Sequence, residues 1–114
     1  MRRVACWSVF ATLAVVGVAS SAAAQDAAHG AKVYEAQKCS VCHSIAGKGN
    51  TKGALDAVGT KLTAADIRAW IVDPVGMADK AKATRKPVMT AKYATLPKED
   101  LDALVAYMVS LKKK

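Results

Sequence analysis

With 114 residues and a net charge of +8, the chain has room for one domain, and its 53% apolar content is inflated by an N-terminal stretch that stands apart from the rest. The basic excess points to a partner with an acidic surface. It does not call for nucleic acid, because the terminal lysines at 112–114 are accounted for by a helix end.

Arg2 and Arg3 lead into residues 4–24, which carry no charge and end in Ser20, Ser21, Ala22, Ala23 and Ala24 before the first acid, Asp26. That order predicts a secretory signal at residues 1–24, cut after Ala24, and a domain at residues 25–114. The rival is an uncleaved membrane anchor, since the uncharged run has about the length of a spanning helix. Both readings put the domain outside the cytoplasm, in the periplasm for the cleaved form, and Cys6 is discarded with the signal. Loss of the two arginines lowers the charge from +8 to +6. So short a domain needs a staple, a metal or a large prosthetic group to complete its core.

Three segments carry a helical period, and nothing alternates convincingly as a strand, which predicts an all-α fold. The first helix is expected to begin near Asp26 and to align Gly30, Val33, Tyr34 and Gln37 on one face ahead of Cys39. Residues 45–59 hold Gly47, Gly49, Gly53 and Gly59 and read as a loop. Thr63 and Asp66 form a capping pair opening a short helix with Ile67, Trp70 and Ile71 inward, and Asp73-Pro74 ends it. Residues 75–97 read as a long irregular connection, of the kind that usually carries function. In the last helix Leu101, Leu104, Val105, Met108 and Leu111 make one apolar stripe. Pro97 suits its first turn, while Glu99, Asp100, Asp102 and the terminal lysines complement its dipole. No internal repeat is visible.

The chemistry is concentrated in Cys39-Ser40-Val41-Cys42-His43. Cysteines one helical turn apart can each add to a vinyl group of one porphyrin, and the next residue offers an imidazole to the iron. The pattern reads as a c-type haem attachment site. Zinc needs four ligands, and after loss of the signal only these two cysteines, His43 and the distant His29 remain. A redox-active dithiol of the thioredoxin kind would need a preceding strand and a β-α-β setting, and a disulfide at this spacing would close only a very small loop.

With the attachment motif go Gly30 and Tyr34, Leu62-Thr63, Pro87-Val88-Met89, and the run from Leu101 to Tyr107. In these residues the chain resembles the bacterial class I cytochromes c, small periplasmic single-haem proteins, over almost all of the part after the signal. The resemblance implies that the N- and C-terminal helices cross, that loops wrap one covalent haem c with its iron, and that Leu104 and Tyr107 meet Gly30 and Tyr34. It also implies a backbone carbonyl after the motif that accepts a hydrogen bond from His43. The family has Gly-Pro-x-Leu there; this chain has Gly53-Ala54-Leu55, so Ala54 is expected to supply the acceptor from a less pre-organised loop.

His43 takes one axial position. Met89 is expected to take the other, since it lies in an irregular segment after Lys86-Pro87 that resembles the family's ligand loop. Met77 is its rival in the same segment, Met108 belongs to the core stripe, and His29 is expected to be a solvated residue near a helix start. Leu55, Val58, Leu62, Ile67, Trp70, Ile71 and Val88 are candidates for the apolar haem wall, with Trp70 alternatively a core anchor or a propionate donor.

A thioether ligand raises the potential, and two strong ligands leave no site for substrate. The expected function is therefore one-electron transfer in a respiratory chain rather than enzymatic catalysis, by a monomer steered onto acidic redox partners through Lys48, Lys52, Lys80, Lys82, Lys86 and Lys92. The alternatives are a fixed haem subunit of a larger oxidoreductase and a ligand-binding or peroxidatic haem protein.

Overall fold

The computed structural model describes residues 21–113. The expected signal lies outside the described residues, except that positions 21–24 belong to the first helix, α1 (Ser21–Ala36), so Asp26 is internal to that helix rather than its cap. No helix among the described residues is long and apolar enough to cross a membrane.

Helix α1 stops where Lys38 adopts a left-handed φ of 56°. A 3-10 turn at Cys39–Val41 follows, then a short antiparallel hairpin, β1 (Ser44–Ile45) with β2 (Lys48–Gly49), pairing Ser44 with Gly49. Its two-residue turn needs positive φ at both positions, which Ala46 (52°) and Gly47 (77°) supply. The Ala46 amide donates to Asp56 Oδ1 at 2.6 Å. A second 3-10 turn, Thr51–Gly53, is capped by Asn50, whose side-chain oxygen accepts from the Lys52 amide. Residues 45–59 are thus more ordered than their glycine content implies, because paired backbone groups and two side-chain caps replace the missing apolar face.

The helices α2 (Val58–Lys61) and α3 (Ala64–Val72) come next, α3 opening on the expected Thr63/Asp66 capping box. Asp73-Pro74 does end α3, but it also starts another helix, α4 (Pro74–Ala81), in which Pro74 sits at the first turn and Asp73 accepts from the Gly76 amide. The expected irregular connection therefore shrinks to the residues after α4, plus a 3-10 segment at Ala91–Thr95. Pro is as good a helix opener as it is a helix breaker, and Pro74 does both. The last helix, α5 (Lys98–Ser110), carries Glu99 and Asp100 in its first turn, with Pro97 just outside it.

The core lies where α1 crosses α5. Val33, Tyr34, Leu101, Leu104, Val105 and Met108 are buried there with Ile67 and Ile71 of α3. Gly30 makes the crossing possible: a Cβ would collide with the Ala103 carbonyl oxygen and lie 2.6 Å from the Tyr107 Cβ. Tyr34 and Tyr107 meet edge to face with centroids 5.9 Å apart, as the pairing of Gly30 and Tyr34 with Tyr107 implied. Gln37 lies past the end of α1 and Leu111 past the end of α5, both half-buried.

Around this core, His29 Nε2 and Asp100 Oδ1 join α1 to α5 at 2.8 Å, so His29 is a bridging residue within the helix rather than a merely solvated one. Asp102 binds Arg68 of α3 and, at 2.6 Å, Lys98. The Gly59 amide donates to the Leu111 carbonyl at 2.8 Å, tying α2 to the end of α5. The fold is all-α but for the two-stranded hairpin, as expected.

Candidate haem attachment site

The end of α1, anchored by Val33 and Tyr34 in the core, delivers the chain to Cys39. There the 3-10 turn bonds the Cys42 amide to the Cys39 carbonyl at 3.1 Å and the His43 amide to the same carbonyl at 2.9 Å. Cys39 is half-buried and packs on the core, Cys42 is exposed, and both are free thiols. Burial, the largest influence, raises the Cys39 thiol pKa.

His43 is half-buried, and its Nδ1 lies 3.0 Å from the Gly53 carbonyl oxygen. A carbonyl only accepts, so Nδ1 carries the proton and Nε2 keeps its lone pair. Burial holds the imidazole pKa below its ordinary 6.5, against the hydrogen bond to Gly53 and with the help of the Arg85 charge, so the ring is neutral and able to ligate at pH 7. The acceptor is Gly53, not Ala54. The Leu55 amide donates to the Ser44 carbonyl at 2.8 Å, and this pairing with the buried start of β1 fixes the loop so that Gly53 presents its oxygen. Ala54 nevertheless holds φ at −59°, the value a proline ring would impose, without the ring.

Arg85 was not singled out by the sequence, where it is one cation in a basic loop. Its guanidinium donates to the Cys42 carbonyl at 2.5 Å, and a Cβ on Gly53 would collide with it. Among the methionines, Met89 lies in the irregular stretch after α4, half-buried and packed on the core cluster. Met77 sits half-buried inside α4, and Met108 is buried in α5. Leu55, Val58 and Leu62 also pack half-covered against that cluster, with Tyr93 and Leu96, whereas Ile67 and Ile71 are core residues proper. Trp70 and Val88 are half-buried outside it.

The donor set fits a c-type haem: two free thiols one turn apart, a neutral imidazole held by its far nitrogen, and apolar side chains from several segments left half-covered. No group of three or more His, Cys, Asp or Glu side chains suited to a metal ion occurs among the described residues. Fold and site together define a class I c-type cytochrome.

The chain belongs to the cytochrome c family, whose profile, described as Cytochrome c, matches residues 27–112. Membership implies covalently bound haem c with its iron, and a haem-based electron carrier. Among curated proteins, the chain is 33% identical over 92 residues to cytochrome c oxidase subunit 2 of Alkalihalophilus pseudofirmus (strain ATCC BAA-2126 / JCM 17055 / OF4), a match covering 73% of this chain and 25% of that protein. The chain thus spans about a quarter of the length of this relative. No solved structure matches it.

Proposed function

We propose that this protein is a one-electron carrier working outside the cytoplasm, between respiratory or dehydrogenase complexes and a terminal acceptor, and not an enzyme. Cys39 and Cys42 would hold the haem through thioethers, and His43 and Met89 would ligate its iron. The observation that carries this reading is the His43 Nδ1 bond to Gly53, which leaves Nε2 free beside two unpaired thiols. When bound, the haem supplies the ferric/ferrous couple. The residues around it supply the ligands, the apolar cover and a closed coordination shell that denies substrate access.

Met89 is preferred to Met77 because it lies on irregular chain against the core, where a side chain can reach across a flat cofactor, whereas Met77 is bound into a helix. Lys48, Lys52, Lys80, Lys82, Lys86 and Lys92 are all exposed, which supports electrostatic steering onto acidic partners. A basic residue excess after removal of residues 1–24, and export with cleavage after Ala24, complete the proposal, with the monomer as the working form.

The test is a redox titration followed optically on the wild type, Met89→Ala and Met77→Ala. Loss of the thioether–iron band in Met89→Ala alone is expected; its loss only in Met77→Ala would reverse the ligand assignment. The similarity to an oxidase subunit supports a second reading, a haem domain fixed within a larger oxidoreductase. Gentle purification yielding a stable complex would favour that reading, and a free monomer would favour the shuttle.

A further inference from the structure

We infer that Arg85 is a positioning residue that ties the Met89 segment to the haem attachment motif and raises the reduction potential of the couple. The inference rests on the proposed haem and ligand set. Its first support is a hydrogen-bond inventory. Among the described residues, no backbone–backbone hydrogen bond outside the helices and strands involves residues 84–89. The last backbone bond before that stretch is from the Ala83 amide to the Ala78 carbonyl. The Arg85 guanidinium on the Cys42 carbonyl, 43 positions away in sequence, is the hydrogen bond that anchors this segment. Without it, the chain carrying Met89 is held by side-chain packing, that of Met89 and the half-buried Val88.

The second support is where the charge falls. Arg85 lies so close to Gly53 that a Cβ on that glycine would strike its Nη1, and the Gly53 carbonyl is the acceptor that orients His43. One guanidinium therefore touches the residue bearing the second thioether and the residue holding the imidazole. A fixed positive charge in that place disfavours the more positive, oxidised state of the site, and so favours the reduced one.

The test uses the intact holoprotein with Arg85→Gln, Arg85→Lys and, as a neighbour losing the same charge, Lys86→Gln. In the ferric proteins, imidazole competes with Met89, and Arg85→Gln is expected to bind it about fivefold more tightly than wild type, the effect of losing one charge-assisted hydrogen bond at an exposed position. Lys86→Gln is expected to bind it as wild type does. The potential is expected to fall further in Arg85→Gln than in Lys86→Gln, and Arg85→Lys, which keeps the charge, is expected to stay nearer wild type. Equal imidazole affinities and equal potentials in Arg85→Gln and Lys86→Gln would overturn the inference. A wild-type spectrum lacking the thioether–iron band would overturn the ligand assignment and the tethering role with it, while the potentials would still decide the electrostatic role.

Discussion

Replacing Gly30 by Ala adds one methyl group at the crossing of α1 and α5, where it meets backbone rather than a yielding side chain tip. The colliding atoms are the Ala103 carbonyl oxygen and the Tyr107 Cβ, and neither moves without shifting α5. Overpacking of this kind costs about 1–3 kcal/mol, and a backbone collision belongs at the upper end. Alanine returns about 1 kcal/mol through its better helix propensity, leaving a net loss of about 2 kcal/mol. For a domain of this size, that lowers the melting temperature by about 10 °C, read by far-UV circular dichroism on the holoprotein. Gly47→Ala is the informative companion: no atom lies within 4 Å of its added Cβ, but φ of 77° imposes about 1 kcal/mol of backbone strain. A Gly30→Ala protein melting at or above the wild-type temperature would refute the close-crossing argument.

Ala54→Pro is expected to stabilise the protein by about 0.5–1 kcal/mol, because the native φ of −59° already suits the ring and the substitution restricts the unfolded chain; a lower melting temperature would contradict this. Tyr34 has a buried hydroxyl with no hydrogen-bond partner among the described residues, and burial pushes its pKa from 10.0 to about 12. The raised value means that its contribution is complete below pH 10.0 and fades as pH rises to about 12. Tyr34→Phe should therefore flatten the alkaline loss of stability and remove the latest-titrating tyrosine from an ultraviolet titration. Asp102 has its pKa lowered by hydrogen bonds from Lys98 and Arg68. Its contribution is present above the unfolded carboxyl pKa of about 3.9 and is lost as pH falls through the lower folded value. Asp102→Asn should narrow the stability gap between neutral and acid solution in urea titrations, and an unchanged gap would show that the two cations do not hold this carboxylate.

The sequence carried the helices whose apolar residues recur with helical spacing. Leu101, Leu104, Val105 and Met108 are buried as their spacing requires, and Thr63 with Asp66 announces α3 by a local hydrogen-bond exchange. Gly30, Tyr34 and Tyr107 were legible through family resemblance, and their contacts follow from the missing side chain and two ring faces. Helix α4 was missed because Asp73-Pro74 serves as both stop and start, and only the three-dimensional path distinguishes them. The hairpin was missed because its strands are two residues long, too short for alternation to register. At the site, Cys39, Cys42 and His43 declare themselves by adjacency in sequence. Gly53 and Arg85 act through a backbone oxygen and a long-range contact, for which residue type gives no signal.

The crossing of α1 with α5 also sets an order of events. His29 and Asp100, one of its joints, are separated by 71 positions, so a chain emerging from its N-terminus has α1 and the Cys39-to-His43 turn in hand long before α5 exists to cover them. Contacts this distant close late, because the loop entropy must be met before they form. Closing the core over α1 therefore waits on the last helix to form.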